Sequence, residues 1–137
     1  MLRTLIVDDS ATFRKTFKSA LCERFPFMLI KEALNTTEAL QKIKAFPPDV
    51  IFMDIRLPGE SGLELTKRIK ASHPEIAIII LTAYDLREYR EAAYNGGADA
   101  FIPKDSLNLA DIAALIKSIF SDDGYHDLHN PGKDGRS

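Results

Sequence analysis

Residues 50–54 read VIFMD, four apolar residues followed directly by an acid. A short run that is apolar at every position predicts a strand covered on both faces, which is typical of parallel sheets. Asp54 stands at the end of this run, with Ile55 after it. A carboxylate at the end of an apolar strand is costly unless it has a partner, so the stretch predicts a buried strand that carries a functional acid.

Apolar runs of the same kind lie on both sides of this stretch. They are found at Leu2–Val7, Leu29–Ala33, Ile76–Leu81 and Ala100–Ile102. Between and after the runs, apolar residues recur at three- and four-residue spacing, as they do in amphipathic helices. Alternation of strands with helices predicts an α/β fold, (βα)5, with a doubly wound five-stranded parallel sheet.

Capping residues and helix breakers mark the ends of the predicted helices. Asn35, Ser61 and Asp85 each stand three residues before a glutamate, the spacing of a capping box. These three positions therefore predict the starts of helices two, three and four. Helix-ending residues follow each of them, at Pro47-Pro48, Pro74 and Gly96-Gly97.

Polar side chains follow four of the five strands and converge at one edge, because ligands of parallel sheets bind outside the carboxyl ends of the strands. Asp8 and Asp9 follow the first strand, Asp54 the third, Thr82 ends the fourth and Lys104 follows the fifth. Three neighbouring carboxylates need a counter-charge, and hard oxygen ligands suit Mg²⁺. An aspartate can also act as a nucleophile toward a phosphoryl group, whose oxygens Lys104 and Thr82 could face.

Composition restricts the classes of protein. The 137 residues are 45% hydrophobic and 28% charged with a net charge of −2, which predicts one globular domain and excludes a protein held on nucleic acid by charge alone. We find no apolar run long enough for a transmembrane helix or a secretory signal, so we expect a cytoplasmic protein. The single cysteine, Cys22, excludes an internal disulfide and is expected to be a buried, inert thiol.

The chain divides by composition into residues 1–120, the predicted domain, and residues 121–137, which read SDDGYHDLHNPGKDGRS. This second segment has too few apolar side chains to offset its ordering entropy. We therefore expect residues 121–137 to be a flexible polar tail.

Five motifs together resemble the receiver domain of two-component response regulators, the chemotaxis-regulator-like family. They are LIVDD at 5–9, VIFMDIRLPG at 50–59, SG at 61–62, ILTA at 80–83 and GADAFIPK at 97–104. The resemblance covers residues 2–120. It implies a flavodoxin-like receiver fold with strand order 2-1-3-4-5.

The resemblance also implies roles for the residues at the sheet edge. Asp54 falls at the phosphate-accepting aspartate, and Lys104 at the lysine that faces the phosphoryl group. Asp8, Asp9 and Asp54 fall at the Mg²⁺ ligands, together with the backbone carbonyl of Arg56.

Further residues of the family pattern concern switching and phosphate lifetime. Thr82 falls at the switch hydroxyl and Phe101 at the switch aromatic. Arg56 and Tyr84 fall at the two positions whose side chains flank the attacking water. Because both are bulky, we expect slow autodephosphorylation.

The resemblance implies a signalling switch rather than an enzyme, with self-catalysed phosphoryl transfer and autodephosphorylation only. A sensor histidine kinase or phosphotransfer protein would be the donor. The fourth helix, fifth strand and fifth helix would present the output surface to an effector, and we expect a monomer or weak dimer without direct nucleic-acid or membrane contact.

Three other interpretations stay open. The chain could be the receiver fragment of a longer helix-turn-helix DNA-binding regulator. It could be a phosphohydrolase with an aspartyl nucleophile, although Arg56 stands where a second acid would be needed. A flavin-binding flavodoxin-like protein would need N–H donors where the first loop offers Asp8 and Asp9.

Overall fold

The computed structural model describes the backbone of residues 2–126 and side chains as far as residue 121. The strands are β1 Arg3–Val7, β2 Leu29–Ala33, β3 Val50–Met53, β4 Ala77–Thr82 and β5 Ala100–Pro103. The helices are α1 Ala11–Arg24, α2 Thr36–Ala45, α3 Gly62–Ser72, α4 Arg87–Asn95 and α5 Leu109–His126, with a 3-10 turn at Lys104–Ser106.

All five strands are parallel and lie in the order β2-β1-β3-β4-β5. This confirms the predicted fold class and strand order. Val7 of β1 pairs with Met53 of β3, which pairs in turn with Ile80 of β4. Strands β1 and β3 therefore end level, and β4 runs two residues further to Thr82. The residues at these strand ends share one edge of the sheet.

The strands bury opposite faces against different helices, because alternate side chains point to opposite sides of a sheet. On one side, Leu5, Ile51 and Ile78 join a buried cluster with residues of α2, α3 and α4. On the other side, the ring of Phe52 in β3 meets Phe17 of α1 edge to face, with centroids 5.0 Å apart. Burial on both faces explains why β3 and β4 are apolar at nearly every position.

Two of the three predicted helix caps are confirmed and one is wrong. The Asn35 side chain accepts a hydrogen bond from the N–H of Glu38, and the Ser61 hydroxyl accepts one from the N–H of Leu63. Asp85 does not cap α4, because its carboxylate pairs with Arg90 at 2.8 Å and the helix begins after a residue without a capping side chain.

Cys22 is exposed, so the expectation of a buried thiol is wrong. Leu21 and Phe17, four residues apart, form the buried face of α1. Consecutive residues of an α-helix lie about 100° apart around its axis, and this turns the side chain of Cys22 away from that face.

Helix α5 lies in a second compact unit, which begins at Leu107. The Asn108 side chain accepts hydrogen bonds from the N–H groups of Ala110 and Asp111, which caps the start of the helix. The helix continues to His126, so the first six residues of the predicted tail are helical. The rest of that tail, residues 127–137, lies outside the described residues. Within the described part of the chain, no helix has the length and apolar character needed to cross a membrane.

Candidate functional site

Asp8, Asp54 and Lys104 meet at the carboxyl edge of the sheet. The N–H groups of Asp8 and Asp54 extend the strand ladder by donating to the carbonyl oxygens of Ala33 at 3.0 Å and Val7 at 2.9 Å. The Nζ atom of Lys104, which follows β5, lies 2.7 Å from Asp8 Oδ2 and 3.5 Å from Asp54 Oδ2. The ammonium group thus sits between two buried carboxylates that the sequence placed at strand ends.

Asp9 completes an acidic cluster with Asp8 and Asp54. One carboxylate oxygen of each residue lies within 4.8 Å of the others, and Asp9 is the exposed member. With Lys104 as the neighbouring cation, three carboxylates and one ammonium leave two negative charges when all are ionised. Hard oxygen donors with this excess of charge fit a divalent cation such as Mg²⁺.

The Asp54 carboxyl is incompletely stabilised in its charged form. Burial and the nearby Asp8 carboxylate raise the pKa of Asp54 above its ordinary value of 3.8. Lys104 lowers that pKa, as do the Thr82 hydroxyl and the N–H of Ile55, which donates to Asp54 Oδ1 at 2.8 Å. The causes that raise the pKa outweigh those that lower it, so the protein groups alone do not balance the charge on Asp54. This supports the fit of a bound cation.

Arg56 and Tyr84 contact each other beside the acidic cluster. The guanidinium carbon of Arg56 lies 4.0 Å from the centroid of the Tyr84 ring, which is a cation–π contact. The pKa of Arg56 is raised by a hydrogen bond to Tyr89 and, among weaker causes, by the charge of Asp54. Thr82, which is fully buried, accepts a hydrogen bond at 3.2 Å from the N–H of Tyr84.

Phe101 lies on β5, next to Ile80 of β4 in the sheet. Its side chain is 5% exposed, and the guanidinium carbon of Arg90 in α4 lies 4.6 Å from the ring centroid. The residue predicted as the switch aromatic is therefore turned inward and connects β5 with α4.

Helix α1 contributes groups that the sequence did not predict for the site. The Nζ atom of Lys104 lies 4.1 Å from the centroid of the Phe13 ring. The N–H of Ser10 donates to Asp8 Oδ1 at 2.8 Å, and Arg14 donates to the backbone carbonyl of Asp8. Phe13 stands four residues before the buried Phe17, so both lie on one face of α1. The only signal in the sequence that Phe13 touches the site is its closeness to the acidic pair.

Gly62 lets α3 begin against the loop that follows the acceptor strand. Its N–H donates to the carbonyl oxygen of Ile55 at 2.8 Å. A β-carbon at position 62 would overlap the backbone carbonyl oxygen of Asp54. Glycine is therefore required here, because any side chain would displace the backbone that orients Asp54.

The chain is similar to response regulators, both in its family match and in its relatives. The family described as "Response regulator receiver domain" matches residues 4–126. The oxygen regulatory protein NreC of Staphylococcus aureus is 33% identical over 128 residues, which are 93% of this chain and 58% of NreC. The chain thus spans little more than half the length of this curated relative.

Two solved structures match over nearly their whole length. A CheY-like response regulator receiver domain protein from Methanospirillum hungatei is 30% identical with a TM-score of 0.80, covering 89% of this chain and 95% of that one. The response regulator TrrA from Thermotoga maritima, solved in complex with Mg²⁺ and BeF, is 34% identical with a TM-score of 0.76, covering 87% and 99%.

Proposed function

The chain belongs to the family of response regulator receiver domains of two-component systems, and from this membership we propose that Asp54 is its phosphate acceptor. One observation carries the proposal. Asp54 is a buried carboxylate beside Asp8, and its Oδ2 lies 3.5 Å from the Nζ atom of Lys104. Burying a carboxylate beside another one is unfavourable. Next to a cation that can face a phosphoryl oxygen, such an acid suits nucleophilic attack on phosphorus.

The transfer needs no general base, because a carboxylate oxygen attacks with a lone pair and has no proton to lose. An oxygen of Asp54 forms a bond to the phosphorus of a phosphohistidine while the P–N bond of the donor breaks. The electron pair of that bond stays on the imidazole nitrogen, and the ring is neutral when its other nitrogen carries a proton. The Lys104 ammonium and the Thr82 hydroxyl face two of the equatorial oxygens, over which negative charge spreads during transfer.

We assign Mg²⁺ to the carboxylates of Asp8, Asp9 and Asp54 and, by family resemblance, to the backbone carbonyl of Arg56. The carboxylate oxygens of the three acids lie within 4.8 Å of one another. When bound, the ion supplies charge that offsets the developing negative charge on the phosphoryl oxygens. The complex of TrrA with Mg²⁺ and BeF supports this assignment by relationship.

Phosphorylation would act on a two-state packing equilibrium. We expect the Thr82 hydroxyl to move toward the phosphoryl group and Phe101 to hold the inward position, so that α4 and β5 favour one arrangement. Tyr84, Leu86 and Tyr94 are 40%, 46% and 48% exposed and would present the changed surface to an effector. Family resemblance also assigns α5 to this output surface.

The partners follow from the same chemistry. A sensor histidine kinase or phosphotransfer protein in the cytoplasm would supply the phosphoryl group, and the chain would turn over no separate substrate. The alternative of a receiver joined to a helix-turn-helix domain stays open, since the chain spans 58% of NreC. In either arrangement Asp54 would carry the same chemistry, and the described chain would make no direct contact with nucleic acid.

Fluoroberyllate, an analogue of the phosphoryl group, tests the assignment of Asp54. With Mg²⁺ present, we expect fluorine NMR to show protein-bound fluoroberyllate for the wild type and none for Asp54→Asn. Asp111→Asn, which changes an exposed acid of α5, is the matched control and should bind like the wild type. Equal binding by Asp54→Asn, or no binding by the wild type, would contradict the proposal.

A further inference from the structure

The backbone of Asp8 is fixed at both of its polar atoms. Its N–H donates to the carbonyl oxygen of Ala33 at 3.0 Å, and its carbonyl oxygen accepts from Nη1 of Arg14 at 2.5 Å. Because a peptide unit is planar, the direction of the Asp8 carbonyl also sets the position of the nitrogen and α-carbon of Asp9. The contact with Arg14 therefore acts on two of the three acids in the cluster.

Arg14 is itself held in place from β2. Its Nε donates to Glu32 Oε1 at 3.0 Å, and the two side chains are 13% and 32% exposed. The guanidinium is a rigid planar fork, so one nitrogen can bond Glu32 while another bonds Asp8. Lys18, one turn further along α1, reaches the other oxygen of Glu32 at 3.5 Å. Within the described part of the chain it makes no ion pair with Asp8.

We infer that Arg14, oriented by Glu32, is a positioning residue for the divalent-cation site. It fixes the peptide between Asp8 and Asp9, so that both carboxylates are arranged before the ion binds. This inference rests on the Mg²⁺ site of the proposed function. Partners that orient the ligands of a metal commonly change its affinity when they are removed, although they never touch the ion.

Electrostatic repulsion alone predicts the opposite effect of Arg14 on Mg²⁺ affinity. A guanidinium near a cation site repels the incoming ion, so deleting Arg14 would strengthen Mg²⁺ binding if only Coulomb forces acted. Deleting the geometric restraint weakens binding instead. The sign of the change in affinity therefore separates positioning from simple electrostatics.

The test is isothermal titration of the full chain with Mg²⁺ alone. We expect Arg14→Ala to weaken binding by about tenfold or more. The control Lys18→Ala removes a cation from the same helix and the same Glu32 and should bind within about twofold of the wild type. Arg14→Lys keeps the charge but has a single nitrogen, so it should fail to restore full affinity.

Amide NMR of the metal-free proteins gives a second readout. The Asp9 N–H resonance should shift in Arg14→Ala and Arg14→Lys and stay unchanged in Lys18→Ala. Unchanged or tighter Mg²⁺ binding by the Arg14 variants, or equal losses in Arg14→Ala and Lys18→Ala, would overturn the inference and leave the proposed function intact. Absence of Mg²⁺ binding by the wild type would overturn both.

Discussion

Asp54 is the residue at which stability and chemistry conflict most directly. Its side chain is buried beside Asp8, and these two causes raise its pKa although Lys104 lies 3.5 Å away. A folded protein that holds an incompletely balanced charge is less stable than one with a neutral group of the same shape. The same excess of negative charge favours binding of a cation. The cation can then neutralise charge on a phosphoryl group.

The pH dependence of stability should reveal this conflict. Since the native pKa of Asp54 lies above 3.8, the native state binds more protons than the unfolded chain between the two pKa values. The contribution of Asp54 to the free energy of unfolding therefore falls as pH rises through that window. Asp54→Asn lacks this loss, so its stability relative to wild type should increase from about pH 4 to about pH 7 without Mg²⁺.

Urea unfolding of both proteins across this pH range measures the difference. Asp111→Asn, which changes an exposed acid of α5, is the control for the loss of one carboxyl group. A stability advantage of Asp54→Asn that shrinks as pH rises would contradict the account of Asp54.

The contact between Arg56 and Tyr84 leads to a prediction about phosphate lifetime. The guanidinium carbon of Arg56 lies 4.0 Å from the centroid of the Tyr84 ring. Together the two side chains would shield a phosphoryl group on Asp54 from attacking water. We expect the double variant Arg56→Asn/Tyr84→Ala to lose its phosphoryl group several-fold faster than wild type, as followed by intact mass over time. Tyr94→Ala, which removes another exposed tyrosine, is the control. An unchanged lifetime in the double variant would show that the pair does not shield the phosphate.

Helices α2 and α4 begin differently, although the sequence gives both the same capping spacing. At α2, Asn35 accepts from the N–H of Glu38 at 2.8 Å, and the Glu38 carboxylate accepts in return from the N–H of Leu34 at 3.0 Å. At α4, Asp85 instead pairs with Arg90. Spacing alone could not distinguish the two cases, because the competing partner lies within the helix and its side-chain conformation is not encoded in the spacing.

These two helix starts predict unequal costs of substitution. Asn35→Ala removes a cap and should lower the free energy of unfolding by about 1 kcal/mol. Asp85→Ala removes only an exposed ion pair and should cost about 0.5 kcal/mol or less. Chemical denaturation of the two variants measures both values. Equal losses would mean that Asp85 caps α4 in solution.

At the scale of the whole molecule, the features that follow from the strand topology could be predicted from the sequence. Five apolar runs predicted the parallel sheet, and Asp8, Asp54 and Lys104 meet at its carboxyl edge as expected. The contacts of Phe13 with Lys104 and of Arg14 with Asp8 were not predicted. They depend on how α1 crosses the sheet, and a helical pattern reports which side of a helix is buried but not what it meets.

Cation binding should stabilise the folded chain as a whole. A ligand that binds only the native state adds about 2.7 kcal/mol to the free energy of unfolding when its free concentration is about 100 times its Kd. We therefore expect Mg²⁺ to raise Tm, EDTA to reverse the rise, and Asp54→Asn to show a smaller rise. A Tm that does not respond to Mg²⁺ would contradict a cation site at the acidic cluster.

Transfer of one phosphoryl group to Asp54 is the central claim, and intact mass spectrometry tests it most directly. The protein is incubated with acetyl phosphate and Mg²⁺ beside Asp54→Asn, with an EDTA sample as the metal-free control. The account predicts a gain of about 80 Da, the mass of one added phosphoryl group, in the wild type with Mg²⁺ only. An equal gain in Asp54→Asn, or no gain in the wild type, would contradict it.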